Sequence, residues 1–313
     1  MMKFSLVLSY LIVLIVGLGS ACCSAASETQ NKTSIADLTV TIVDSEATRL
    51  DAIQKNKPLY IKFWASWCAS CLKEMPKLAE DFKKYGDKIQ FLTVNVGIED
   101  TQEDIKRIYR EYGLEMPAAI DSDGTLGQTL GFVGTPYHLL FDRDWKLMHK
   151  GHSADDQLSL TLSVLAGNPV QKAELKEKHL VEVSALQSPG FTLQEDGVVF
   201  YTIAWCDWYM LDTNKSLAER CKKVSQNIAR LKKERPELKI KILVSPMWIS
   251  DEEIKNYKQR FALKVPVFVD TGDVISRQYG LRNVGMALVF KSGSLKEKVV
   301  GVDDYNRLKN VGF

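Results

Sequence analysis

The sequence lacks an excess of either charge. Lys and Arg number 41 against 39 Asp and Glu over 313 residues, a net of +2. The two signs are interspersed, which excludes the one-sided basic field of a nucleic-acid binder. Low-complexity tracts are also missing. Cysteine is scarce: of six in all, Cys22 and Cys23 lie in the first 26 residues, which leaves Cys68, Cys71, Cys206 and Cys221. Four are too few for a disulfide-stapled scaffold, so their chemistry has to be considered first. Hydrophobic residues at 45% and charged residues at 26% are ordinary for a soluble globular protein, and the length suits two domains.

Residues 1–26 differ from the rest. Lys3 is their only charge, and "FSLVLSYLIVLIVGLG" runs without interruption into the small residues "SACCSAA". This is the pattern of an export signal. Three outcomes fit it: cleavage after Ala25, lipid attachment at Cys22, or retention as an uncleaved anchor of barely membrane-spanning length. Each places the mature chain outside the cytoplasm, where disulfides persist.

Beyond this stretch, "LTVTIV" (38–43) alternates as a strand, and residues 45–56 have helical spacing. "PLYIKFWA" (58–65) is a β-branched and aromatic strand that runs straight into Cys68-Ala69-Ser70-Cys71. A helix is expected over 71–86 despite Pro76, then a buried strand at 89–97 and a helix at 101–114. "VGTPYHLLFD" (133–142) and "WKLMHKGH" read as a hairpin, and a last helix ends at Gly167. The order mixes a parallel sheet with an antiparallel edge and helices on both faces, an α/β fold. Residues 168–190, bounded by Asn168-Pro169 and Ser188-Pro189-Gly190, read as a linker. The expected domains are therefore 38–167 and 191–313.

The second domain repeats the first. Residues 101–141 slide onto 250–290 without a gap at an offset of 149, so that Ile105 meets Ile254, Pro117 meets Pro266, Asp121 meets Asp270 and Phe141 meets Phe290. The strand and Trp-Cys step of "YIKFWASWCASC" return in "VFYTIAWCDWY", where Cys206 aligns with Cys68 but Tyr209 replaces Cys71.

A strand that delivers Trp-Cys-x-x-Cys to a helix N-terminus sets Cys68 against unpaired backbone N–H groups and the positive end of the helix dipole. Both stabilise a thiolate. Cys71, one turn along, can close a disulfide and resolve a mixed one. Three other readings of the pair stay open. A structural zinc site would need further ligands nearby, copper would be handled with a remote His138 or a methionine, and the disulfide could be purely structural.

The segments "FWASWCASCLKEMPKL", "YGLEMPAAIDSDG" and "LGFVGTPYHLLFD", in this order, resemble the extracytoplasmic thioredoxin-like reductases of the TlpA and ResA type over residues 38–167. The resemblance implies a thioredoxin fold with Cys68 as nucleophile, Cys71 as resolving thiol and Trp67 beside them. It also implies a cis Pro136 that turns Thr135 towards an extended substrate strand. Lys62 stands where thioredoxins bury an acid, as a tuning residue or a lysine that snorkels to solvent, and Glu99 stands near where relatives place an acid beside the cysteines. Ala69-Ser70 departs from the usual proline between the cysteines and leaves the potential open. The implied activity is reduction of disulfides in exported proteins, with electrons from a DsbD- or CcdA-like membrane partner and no cofactor or metal. An oxidase or isomerase running the same chemistry backwards, and a copper-binding or adaptor protein, are the alternatives. The implied architecture is two tandem thioredoxin-like folds, the second degenerate.

In that second copy Gly285 falls opposite Pro136. The 44 residues from Cys206 to Ser250, against 33 from Cys68 to Thr101, call for an insertion. Ser216 with Glu219 three later is a capping-box pattern, which predicts an inserted loop over 207–215 and a structural Cys206–Cys221 disulfide. Two unrelated buried thiols or a second redox site are the other readings. Substrate docking or dimerisation is the role expected of this domain.

Overall fold

The computed structural model describes residues 34–168, 175–180, 191, 193 and 195–311. The expected signal or anchor at 1–26 lies outside them, as does most of the expected linker. Among the described residues no helix is long and apolar enough to cross a membrane.

The first half opens with β1 (Thr39–Ile42), β2 (Ala47–Arg49) and α1 (Leu50–Gln54). The helix expected over 45–56 is therefore confined to its second half. A left-handed turn at Asp44 folds residues 47–49 back on β1, where Thr48 faces Val40 in the sheet register. The central strand β3 (Leu59–Trp64) leads to α2 (Ala69–Lys73) and α3 (Met75–Tyr85). These replace the single helix expected over 71–86. Pro76 has no N–H for Leu72 and its ring would crowd that carbonyl, so the helix breaks at Glu74 and restarts with Pro76 in the first turn.

Then follow β4 (Gln90–Asn95), α4 (Gln102–Tyr112), β5 (Ala118–Ile120), α5 (Thr125–Thr129), β6 (Tyr137–Phe141), β7 (Leu147–Gly151) and α6 (Asp156–Leu165). The strand order is β2-β1-β5-β4-β3-β6-β7. Every residue of β3 is buried because helices cover both faces of this central strand. Residues 175–180 run beside β7, where Lys178 N donates to Leu147 O.

The second half contains β8 (Gly197–Thr202), α7 (Cys206–Tyr209), α8 (Lys215–Glu234), β9 (Ile240–Val244), α9 (Asp251–Arg260), β10 (Val267–Val269), α10 (Val274–Tyr279), β11 (Met286–Lys291), β12 (Ser294–Val300) and α11 (Tyr305–Lys309). Its order, β10-β9-β8-β11-β12, repeats β5-β4-β3-β6-β7 of the first sheet. Strand directions repeat as well: β8 and β9 are parallel like β3 and β4, while β11 is antiparallel to β8 and β12 as β6 is to β3 and β7.

The loop expected over 207–215 is shortened to residues 210–214. Residues 206–209 are helical, and most of the added length goes into α8, 20 residues long against 11 for α3. The cap is Asn214 rather than Ser216, because the Asn214 side chain already accepts Leu217 N at 3.0 Å.

Equivalent residues do equivalent work in the two halves. Thr101 caps α4 and Ser250 caps α9. The Asp121 carboxylate accepts the N–H groups of Leu126 and Gly127 at 3.1 and 2.8 Å, and Asp270 accepts those of Ile275 and Ser276 at 2.9 and 2.7 Å. One apolar core runs from the first sheet to the second, and a smaller cluster around Tyr201 and Leu288 fills the other face of the second sheet.

Because each of these two aspartates holds a helix start inside the protein, Asp121→Ala and Asp270→Ala are each expected to lower stability. The loss should be about 1–3 kcal/mol in urea unfolding. A change within experimental error for either one would reject the equivalence.

Candidate active site

The strand β3 ends at Trp64 and the chain turns once before α2. Asp100 holds that turn: its carboxylate accepts Ser66 N at 2.7 Å, Ser66 Oγ at 2.5 Å and Asn95 Nδ2 at 2.5 Å. Burial raises the pKa of Asp100 against the lowering effect of these bonds. Trp67 Nε1 donates to Ile98 O at 2.8 Å. Cys68 thereby becomes the N-cap of α2, its sulfur accepting Cys71 N at 3.2 Å and lying 3.4 Å from Ser70 Oγ. Cys68 and Cys71 form a disulfide with Cα atoms 5.2 Å apart, and neither residue is exposed.

The Thr135–Pro136 bond is cis, and Pro136 O lies 2.8 Å from His152 Nδ1. Thr135 and Pro136 line one cavity with Trp67 and Ser70, so this loop and the cysteine motif share a wall. The cysteine motif and the cis-proline loop of the first half are thus brought together.

Lys62 does not reach solvent. It is buried mid-strand, with Nζ 2.5 Å from Glu74 Oε2. The other Glu74 oxygen accepts Ala154 N at 2.8 Å. His138 Nε2 lies 3.2 Å from Glu74 Oε2, outside full hydrogen-bond alignment, and its Nδ1 is 2.7 Å from Tyr60 OH. Burial lowers the pKa of Lys62 more than Glu74 raises it, and burial keeps His138 low as well. Burial also pushes Glu74 up, but the His138 contact and the Lys62 charge outweigh it and hold the carboxyl at about 2. His138 is committed to this network rather than to a metal site with the cysteines. Among the described residues no group of three or more His, Cys, Asp or Glu side chains is arranged to hold a metal.

Sequence reasoning missed Glu74. The available signal was the lysine in an otherwise apolar strand, since a buried cation requires an anion within reach.

Glu99 is not beside the cysteines. Its backbone is left-handed at φ 63°, which turns the side chain across to the second half. There it pairs with Arg220 and accepts Val284 N. The acid tied to the cysteine turn is its neighbour Asp100.

In the second half Cys206 and Cys221 are bonded, with Cα atoms 6.0 Å apart, and both are buried. Trp205 Nε1 donates to Met247 O at 2.7 Å, the counterpart of the bond from Trp67 to Ile98. Gly285 takes the place of Pro136 at φ 88°.

The two cysteine motifs face each other. The rings of Trp67 and Trp205 lie 6.0 Å apart, and Thr213 Oγ1 donates to Trp67 O at 2.7 Å. Trp248, which occupies the repeat position of Glu99 and shares its left-handed backbone at φ 51°, donates from Nε1 to Thr135 O at 3.1 Å. The contact is reciprocal: Glu99 grips Val284, and Trp248 grips Thr135, at the same offset of 149. Gly134 permits the close approach, because a Cβ there would come within 2.4 Å of the Trp248 ring.

Residues 32–150 match the family model described as AhpC/TSA family. The chain is 31% identical over 121 residues to the thiol-disulfide oxidoreductase ResA of Bacillus thuringiensis subsp. konkukian (strain 97-27). That alignment covers 37% of this chain and 69% of the relative. It is 34% identical over 71 residues to the thioredoxin-like protein YneN of Bacillus subtilis, covering 22% and 42%. Among solved structures, StoA from Bacillus subtilis aligns with a TM-score of 0.35 at 20% identity, over 39% of this chain and 92% of that one.

The buried network has a measurable pH signature. The folded-state pKa of Glu74, about 2, lies below its ordinary 4.5. Its contribution is therefore complete above about pH 4.5 and is lost as pH falls through 2. Glu74→Gln is expected to cost about 3 kcal/mol at neutral pH by leaving Lys62 unpaired, a gap that narrows towards pH 2. Urea midpoints at stepped pH measure it, and a gap that stays constant with pH would reject the assignment.

Proposed function

The chain belongs to the ResA-like family of thiol-disulfide oxidoreductases, and from that membership we propose that it reduces disulfides of exported proteins through Cys68 and Cys71. The observation that carries the reading is the Cys68–Cys71 disulfide at the start of α2, sharing a cavity wall with Thr135 and cis Pro136.

In the reduced enzyme, the Cys68 thiolate attacks one sulfur of a substrate disulfide. The substrate S–S bond breaks, its leaving thiolate takes a proton, and a mixed disulfide forms at Cys68. Cys71, as thiolate, then attacks Cys68 Sγ and releases the second substrate thiol. Two electrons have passed to the substrate, and the enzyme carries the Cys68–Cys71 bond. The Cys71 N–H directed at Cys68 Sγ supports Cys68 as the thiolate of the pair. Thr135 and Pro136 would align the substrate backbone, with Trp67 walling the site.

The reducing direction is what the ResA-like membership implies. Return to the dithiol requires a donor of two electrons, and the resemblance names a DsbD- or CcdA-like membrane protein. Export through residues 1–26, with or without retention of an anchor, would bring the enzyme to that donor. The second half reads as a degenerate copy in which Cys206–Cys221 is structural, since Tyr209 and Gly285 stand where a resolving thiol and a cis-proline would be needed.

Cys68→Ala is expected to abolish reduction of insulin disulfides, and Cys71→Ala to accumulate a mixed disulfide visible on non-reducing gels. Unchanged turnover in both would refute the site. The reduction potential should fall well below the roughly −120 mV of strong oxidants. A value near −120 mV would reverse the direction.

A further inference from the structure

A cavity of about 450 Å3 lies where the two halves meet at the redox site. The first half contributes Ser70, between the cysteines, together with Pro136 and Trp67. The second half contributes Trp205, Trp208, Tyr209 and Trp248. Trp205 and Tyr209 pack edge to face at 5.1 Å, and Tyr209 meets Trp208 in the same way at 6.0 Å. Trp208 and Trp248 are nevertheless about half exposed, at 48% and 49%. Large aromatic faces left open around a cavity are a binding surface rather than a completed core.

One charged side chain of the second half lines this aromatic box, Glu253. Its counterpart in the repeat, Asp104, folds back to accept Thr101 N and completes a capping box. Glu253 leaves that duty: its carboxylate takes Trp208 Nε1 at 3.4 Å and Arg260 at 3.0 Å, both on Oε1. Arg260 is shared with Asp207 at 3.1 Å, so two carboxylates stand against one guanidinium. His152 of the first half lines the same cavity, against the Trp248 ring. Glu253 and Asp207 outnumber the one Arg260 guanidinium between them, and Glu253 stands among indole rings, which attract cations over their faces.

We propose that this box binds a lysine or arginine side chain of an extended polypeptide substrate, close in sequence to the cysteine that is reduced. The assignment rests on the reductase reading above and deepens it. Ser70 and Pro136 line the same cavity, so a segment presenting its disulfide to Cys68 places a neighbouring side chain between the indoles. Trp248 Nε1 holds Thr135 O, which fixes this indole as one wall of the box. The degenerate half thereby forms the second wall of the substrate site and selects charge there.

Two peptides identical except for Lys or Glu two residues from a single cysteine test this. As glutathione mixed disulfides they report kcat/KM with the dithiol enzyme. With serine in place of cysteine they report binding to the oxidised full chain by tryptophan fluorescence. The Lys peptide should be favoured about tenfold in both measurements, and the preference should fall to within about twofold in Glu253→Gln and in Trp208→Ala. Trp208 is half exposed and Gln is isosteric with Glu, so both variants are expected to fold. Equal handling of the two peptides, or a preference unchanged in both variants, overturns the proposal. Binding preference without turnover would retract the reductase reading and leave this one standing. Turnover without preference would do the reverse.

Discussion

The structure depends on a reciprocal grip between two copies of one fold. Glu99 and Trp248 occupy the same repeat position, both with left-handed backbone. Each reaches across to the residue before the cis-proline position of the other half, Val284 and Thr135 respectively. This has the arrangement of an isologous contact between two identical subunits, here made between two halves of one chain. The carboxylate accepts a backbone N–H and the indole donates to a backbone C=O, so the grip has one geometry and two chemistries. Arg277 and Gln128, again equivalent positions, also cross over, to Thr125 and to Gly272.

The two cysteine motifs are buried in the apolar core. Facing each other through Trp67 and Trp205, they shield the Cys68–Cys71 disulfide from water. Beside them, Trp208 and Trp248 of the second half stay about half exposed.

Beneath the cysteines the structure solves another problem. Lys62 sits in the strand most covered by helices, where an unpaired ammonium would be costly. The break at Glu74 forced by Pro76 places a carboxylate against it and beside His138. The proline that looks like a defect in the helical pattern thus marks the turn from which Glu74 completes the network.

Much of this was legible in the residues. Period-two and period-3.6 patterns located β3, α4 and β6, and the unbroken offset from Thr101 to Phe141 located their counterparts, because caps and core positions obey local rules. The break at Glu74, the cap at Asn214 and the strand at 47–49 were not legible. Pro76, the Asn214 side chain and the left-handed turn at Asp44 decided these locally, each over a neighbouring alternative of similar quality. Glu99 was misplaced for a different reason: its partners, Arg220 and Val284, lie more than a hundred residues away in sequence.

The sequence by itself determined the α/β class, the repeated order of elements, and the chemistry available at Cys68 and Cys71. These follow from spacing, and spacing is local; the part of Pro136 entered through the family resemblance. Only the tertiary structure decided that the second half faces the first, that Glu74 rather than Glu99 pairs with Lys62, and that Trp208, Trp248 and Glu253 gather at one cavity with Ser70 and Pro136. Those outcomes depend on which surfaces exclude water together, and that is a property of the assembled chain.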